Sequence, residues 1–262
     1  MLKAMRSIYD FPQIFRAVHM EEPREIIEET EFLKKLWARH LKRPVRRVLD
    51  VACGDSPHGL LLARDKLQVV GVDRSAGMIA AGRAQARGLE NIKFYRRKIE
   101  DFTIPERTCD AAMCWSETLP VIMENPSLVT HLKSVARTLR PGGIYCVDVD
   151  RHDGLRPGSV RQPWRKRHVR VGTTDVDIEE YRRPLPWYAG GWIYELNCAI
   201  RFPDRVVKTR DLIPVRYTLP NQLEFAAKAS GVFELIACYT DLSFRTPLSK
   251  CYRRWLGVMR RR

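Results

Sequence analysis

No run of this chain approaches the ~20 consecutive apolar residues that a membrane-spanning helix needs, which argues against an integral membrane protein. The opening stretch, MLKAMRSIYDFPQIF, has no continuous apolar core and no small-residue cleavage site, so a secretory leader is not expected. There is no Cys-x-x-Cys pair and the six histidines are scattered, so no metal site is expected. The seven cysteines, at positions 53, 109, 114, 146, 198, 238 and 251, are odd in number and sit mostly within apolar runs. That is the pattern of buried thiols in a reducing, cytoplasmic setting rather than of a disulfide frame. Repeats and low-complexity segments are also missing.

What is present is ordinary in bulk and unusual in charge. The 262 residues are 45% hydrophobic and 29% charged, enough for one large packed domain or two small ones. Lys and Arg number 46 against 31 Asp and Glu, a net charge of +15. Residues 1–150 hold 24 basic and 20 acidic side chains, and residues 151–262 hold 22 and 11, so the excess lies in the C-terminal part. Arg161, Arg165, Lys166, Arg167 and Arg170 form one concentration and Arg260, Arg261 and Arg262 another. Such a balance suits an anionic small molecule, an acidic protein or RNA, or simply a solvated surface.

The periodicity divides the chain. Helical patterns at Phe11–His19 and Glu25–Leu41 make an N-terminal helical segment over 1–45. Short apolar runs then alternate with helical stretches. Strands are expected at Val48–Ala52, Leu67–Val72, Ile92–Tyr95, Ala111–Trp115 and Ile144–Val149, with helices opening at Pro57, Ala76 and Leu128. This is the βαβ signature of a doubly wound α/β fold. After Asp150 the alternation stops. A loop over 151–166 leads into three half-buried strands at His168–Tyr181, Trp192–Arg201 and Val206–Tyr217, an antiparallel insertion spanning 151–217. A helix at Asn221–Gly231 and strands at Phe233–Tyr239 and Trp255–Met259 complete the α/β domain of 46–150 and 218–262.

The chemistry is concentrated in Val48-Leu49-Asp50-Val51-Ala52-Cys53-Gly54-Asp55-Ser56-Pro57-His58-Gly59. A buried strand runs into a bend of small residues and then a helix, with Ser56 as its expected N-cap and Pro57 its first residue. Ala52, Gly54 and Ser56 let a ligand approach the backbone. About 20 residues on, Asp73 closes the second strand, placed to accept hydrogen bonds from ribose hydroxyls. The bend lacks the G-x-G-x-x-G of a dinucleotide fold, because Ala52 and Ser56 stand at two of its positions.

The arrangement resembles the class I S-adenosylmethionine-dependent methyltransferases in three ordered motifs: Asp50 to Ser56, Gly71-Val72-Asp73 followed by Ser75-Ala76-Gly77-Met78, and Leu139-Arg140-Pro141-Gly142-Gly143 before the fifth strand. The resemblance implies a Rossmann-like seven-stranded sheet, mostly parallel, with an antiparallel insertion after strand 5. It also implies S-adenosylmethionine as cofactor. By that resemblance Asp50, Ala52 and Gly54 flank the methionine part, Asp73 holds the ribose and Met78 packs on adenine. The adenine-reading motif departs from the family at Lys98, a donor-only side chain, so beside Ile99 either Glu100 or Asp101 takes over that contact or the backbone alone holds the adenine edge. Trp115 then walls the methyl-transfer cavity, and Glu117 and Tyr9 are the candidate catalytic side chains. The [DN]PP[YFW] motif of amino-methylating DNA and protein-glutamine enzymes is absent.

The insertion is similar to the cap sheet of methyltransferases that act on small molecules. The expectation is therefore methyl transfer to a nitrogen or oxygen of a small, optionally anionic, acceptor. Tyr181, Trp187, Tyr188, Trp192 and Tyr194, with Tyr9 and Phe11, are candidates for the lining. Two alternatives stay open: an RNA methyltransferase that uses the basic C-terminal part, and a non-catalytic protein that only binds the cofactor. Oligomeric state is not legible.

Overall fold

A computed structural model of the chain describes residues 6–19, 23–150, 161–185, 190–251 and 254–262. In chain order the elements are α1 (Pro12–His19), α2 (Pro23–His40), β1 (Arg47–Val51), α3 (Pro57–Arg64), β2 (Gln68–Asp73), α4 (Ala76–Gln85), β3 (Ile92–Arg96), β4 (Cys109–Cys114), α5 (Asn125–Thr138) and β5 (Leu139–Asp150). There follow β6 (Gln162–Val171), β7 (Thr174–Pro184), β8 (Gly191–Arg201), β9 (Val206–Arg216), α6 (Pro220–Ser230), β10 (Phe233–Thr240) and β11 (Arg254–Arg261). They form two compact units.

The larger unit is a seven-stranded sheet in the order β10-β11-β5-β4-β1-β2-β3. Its strands are parallel except β11, which runs antiparallel to both neighbours. Central strands buried on both faces read as near-continuous apolar runs, as Val48, Leu49 and Val51 do on either side of Asp50. Alternation along them still sorts the side chains. Leu49, Val51, Val70 and Val72 pack with Leu128, Leu132 and Val135 of α5 and Leu223 of α6. Val48, Val69, Ala111 and Met113 pack on the other face with Leu33, Leu36 and Trp37 of α2 and Leu60 and Leu62 of α3. Both layers follow from the period-2 pleat meeting period-3.6 helices. No described helix is long and apolar enough to cross a membrane. All seven cysteines are free and six are buried.

The smaller unit is the four-stranded antiparallel sheet β6-β7-β8-β9 with α1. Ile8, Ile14 and Val18 pack on Val176, Ile178, Leu196, Cys198 and Ile200. Ser7 Oγ and the Ile8 amide both donate to Asp211, at 2.6 and 2.9 Å. The segment 1–45 expected as one piece is therefore divided at Pro23, with α2 belonging to the larger unit.

Three other expectations are corrected. The single strand at His168–Tyr181 is a hairpin, β6 and β7, turning at Gly172 with φ of +60°. Apolar–polar alternation holds on both sides of that turn but changes phase across it, from Val169 and Val171 to Val176 and Ile178. The expected loop includes residues 162–166, which are the first half of β6. Its charges do not prevent pairing, because Lys166 reaches Glu179 at 2.8 Å and Arg165 reaches Glu180 at 3.5 Å on β7. The turn at Arg140–Gly143 is absorbed into β5 as an irregularity: Leu139 pairs with Cys109 and Ile144 already with Ala111, around Gly142 at φ of +73°.

Candidate active site

The bend after β1 is built from three left-handed residues, Ala52 (φ 56°), Gly54 (φ 56°) and Ser56 (φ 58°). Two bonds fix its ends. The Cys53 amide donates to the Val72 carbonyl at 3.0 Å, and the Ser56 amide to the Cys53 carbonyl at 2.7 Å. Ser56 stands at the start of α3 but does not cap it with its side chain. Its hydroxyl donates to Asp50 Oδ2 at 2.7 Å instead, because left-handed backbone turns the side chain back toward β1. Gly59 permits that contact, since a Cβ there would lie 2.1 Å from Ser56 Oγ. Asp50 is 4% exposed. Burial pushes its carboxyl up to about 6, against the hydrogen bond from Ser56.

Asp73 ends β2 beside this bend. Its Oδ2 accepts the Gly54 amide at 2.9 Å and its Oδ1 accepts the Ser75 amide at 2.7 Å. Burial raises this carboxyl as well, opposed by those amides. Each oxygen keeps a second lone pair for a further donor. Above Gly54 there is open space: an added Cβ would meet nothing within 4 Å. Ser75 caps α4, accepting the Met78 amide at 3.2 Å, and the Met78 side chain is buried.

The loop after β3 is pinned to α5. Buried His131 contacts the Ile99 carbonyl through Nδ1 at 2.6 Å and the Tyr145 hydroxyl through Nε2 at 2.8 Å. Ser134 Oγ accepts the Phe102 amide at 3.2 Å and donates to Asp101 at 3.1 Å, and Arg137 reaches Asp101 at 3.1 Å. The Ile99 side chain is buried and its carbonyl engaged, whereas Glu100 is half-buried at the loop's edge.

At the end of β4, Trp115 is buried, while Ser116 (φ 54°) and Glu117 (φ 57°) form an exposed left-handed pair. Sequence reasoning missed the groups beside them. His58 Nε2 lies 2.6 Å from Glu29 Oε2, and Glu29 Oε1 lies 2.5 Å from Arg254 Nη1. That nitrogen is also 3.3 Å from Asp148 Oδ2, which accepts the Ser116 amide at 3.2 Å. Burial works to raise the Glu29 carboxyl, but the His58 hydrogen bond and the Arg254 charge hold it below its usual range. His58, directly after the small-residue bend, was within reach of sequence reasoning. Glu29, Asp148 and Arg254 carried no local signal.

Tyr9 belongs to the smaller unit, its ring centroid 4.8 Å from that of Phe15. The aromatic lining expected on one face is split by the pleat. Trp192 and Tyr194 share a face, while Tyr181 pairs with Glu195 and so points to the other, where Arg161 stacks on it. Trp187 and Tyr188 lie outside the described residues. Among the described residues no group of three or more His, Cys, Asp or Glu side chains is arranged to hold a metal.

The buried Asp50 and half-buried Asp73 carboxylates around a glycine with open space above it fit a ligand that brings hydroxyl donors and positive charge, as S-adenosylmethionine does. Residues 48–143 match the family model described as a methyltransferase domain. A putative methyltransferase YqeM from Bacillus subtilis is 28% identical over 103 residues, 39% of this chain and 42% of that protein. The match thus spans less than half of that relative's length. An S-adenosylmethionine-dependent methyltransferase from Clostridium acetobutylicum superposes with a TM-score of 0.78 at 15% identity, covering 94% of this chain and 97% of that one. The sugar N-methyltransferase KedS8 from a Streptoalloteichus species superposes at 0.77 and 20% identity, over 100% and 96%. Residues 48–143 thus match a methyltransferase domain, and the chain shares the fold of S-adenosylmethionine-dependent methyltransferases.

Proposed function

We propose that this chain transfers a methyl group from S-adenosylmethionine to a nitrogen or oxygen of a small-molecule acceptor. One observation carries the reading: the Gly54 amide donates to the Asp73 carboxylate at 2.9 Å, so the bend of β1 and the acid of β2 line one site. The cofactor supplies an electrophilic methyl carbon on a sulfonium, which leaves as a neutral thioether. The residues of this chain bind and orient. Asp73 accepts from the ribose, the Ala52–Gly54 backbone and Asp50 take the methionine part, and Glu100 at the edge of the 98–102 loop accepts from the adenine amino group. With ribose at β2 and methionine at β1, the acceptor's place is at the end of β4, where Trp115 excludes water and Glu117 orients the nucleophile.

The sugar N-methyltransferase likeness supports a small acceptor bearing an amine. So does the ion pairing of the basic strand β6. Arg165 and Arg167 pair with Glu180, Lys166 with Glu179 and Arg170 with Asp175, so this run is not an open stripe for a nucleic-acid backbone. Calorimetry with S-adenosylmethionine, followed by transfer of labelled methyl to amino sugars, amino acids and bulk RNA, tests the reading. Cofactor binding with label in a small molecule is expected. Label in RNA overturns the acceptor class, and binding without transfer to any pool supports a non-catalytic protein. Asp73→Ala is expected to weaken binding by about 1.5–3 kcal/mol for each charge-assisted hydrogen bond lost.

A further inference from the structure

The pleat gathers one buried set of ionisable side chains that the cofactor-holding residues do not explain. Asp50 of β1 and Asp148 of β5 lie on the α2–α3 face at the carboxyl ends of their strands. Because β11 runs antiparallel, its first residue, Arg254, lies level with the end of β5, pairing with Asp150. Glu29 comes from α2 and His58 from the first turn of α3. Glu29, His58, Asp148 and Arg254 are each less than 9% exposed. His58 stands edge-on to Trp115, ring centroids 6.1 Å apart, with the Arg254 guanidinium 5.6 Å from the Trp115 ring. The Trp115 indole Nε1–H has no hydrogen-bond partner among the described residues, a buried donor left for something that binds at the end of β4.

We propose that His58, oriented by Glu29, is the general base that takes the proton from the acceptor's nucleophile. This rests on the reading that the acceptor is a nitrogen or oxygen group. Arg254 keeps Glu29 ionised, so Glu29 accepts from Nε2–H and the neutral ring presents Nδ1 as a lone pair. Nδ1 makes no hydrogen bond among the described residues. The ring stands 6.1 Å from that of Trp115, and His58 follows by two residues Ser56, whose hydroxyl donates to Asp50. An amine reaches neutral solution as an ammonium and must lose a proton to act as nucleophile. The N–H bond breaks, its electron pair stays on nitrogen, and the proton binds Nδ1. The resulting imidazolium is paired with Glu29 and returns the proton to solvent after product leaves. The charged groups facing His58 are Glu29 from α2, Asp50 from β1 and, behind Glu29, Arg254 from β11 and Asp148 from β5.

The competing explanation is a brace that merely ties α2 to α3. His58→Gln separates the two, since its side-chain amide still donates to Glu29 but cannot accept a proton. In the full chain it is expected to keep cofactor affinity within threefold by calorimetry and to keep its melting temperature. Acceptor turnover is expected to fall at least 100-fold, within the range for a general base, with loss of the low-pH limb of the rate profile. Added imidazole is expected to restore part of the rate in His58→Ala. Turnover of His58→Gln within threefold of the parent, with the same pH profile, overturns the proposal. A readout free of turnover is long-range 15N–1H NMR of the imidazole in the full chain with the demethylated cofactor bound. Protonated Nε2 with bare Nδ1 supports the base, and protonated Nδ1 overturns it. A parent chain that methylates none of the acceptors offered fails the acceptor reading instead, and the base is then decided by the NMR result.

Discussion

Ser56 gives its hydroxyl to the buried carboxylate of Asp50 at 2.7 Å and leaves α3 without a side-chain cap. The helix start is thereby subordinated to the bend that precedes it. The pair also fixes a pH dependence. Burial raises the Asp50 carboxyl to about 6, from an ordinary value of 3.8. Between those values the folded state binds more protons than the unfolded one, so this group's contribution to stability falls as pH rises toward 6.

Ser56→Ala removes a donor that favours the ionised acid. Stability is expected to drop by about 1.5–3 kcal/mol above pH 6 and by less near pH 5, where Asp50 is largely protonated. Urea unfolding at pH 5 and pH 8 measures the difference; an equal loss at both would separate Ser56 from the titration of Asp50. Affinity for the cationic cofactor is expected to rise as pH increases through 6.

Gly54 and Gly59 are expected to fail for different reasons. At Gly54 a Cβ meets nothing, so Gly54→Ala is expected to cost only about 1 kcal/mol for its left-handed backbone yet weaken the cofactor more than tenfold by filling its space. At Gly59 a Cβ would collide with Ser56 Oγ, so Gly59→Ala is expected to lose about 1–3 kcal/mol of stability as well. Paired denaturation and calorimetry distinguish the two.

His131 is buried and neutral at pH 7. Burial lowers its pKa from 6.5 to about 4, outweighing the hydrogen bond to the Ile99 carbonyl. The unfolded chain therefore takes up the proton first as pH falls. Stability is expected to decline from about pH 6.5 to pH 4, by on the order of 3 kcal/mol in all. His131→Gln is expected to flatten that limb of the stability profile measured by urea unfolding.

Asp101 is turned toward Arg137 and Ser134, so Asp101→Asn is expected to change cofactor affinity by less than threefold. Glu100→Gln is expected to weaken the adenosyl product and to reduce its preference over the inosyl analogue, which lacks the amino donor. Calorimetry with both nucleosides checks this, and an unchanged preference in Glu100→Gln would leave adenine reading to the backbone.

The order of the α/β unit was legible because its strands are short apolar runs, three of them closed by a turn and followed by a helical face, as at Val48–Pro57 and Val69–Ser75. The insertion was less so. The hairpin turn at Gly172 shows only as a change of phase between Val171 and Val176, and charged Arg165 and Lys166 look like loop until Glu180 and Glu179 lie opposite them. Near the N-terminus, α1 and α2 fall in different compact units, and what each one packs against separates them.

Sequence alone determined the bend and the acid of the proposed cofactor site, because Asp50 to Ser56 and Asp73 lie within one βαβ unit at a spacing that brings Gly54 to Asp73. The tertiary structure alone decided the charged set around His58. Glu29, Asp148 and Arg254 are more than 100 residues apart in the chain, and nothing local marks them. They meet because an antiparallel last strand brings its first residue to the end of β5, and because burial allows charges there only as partners.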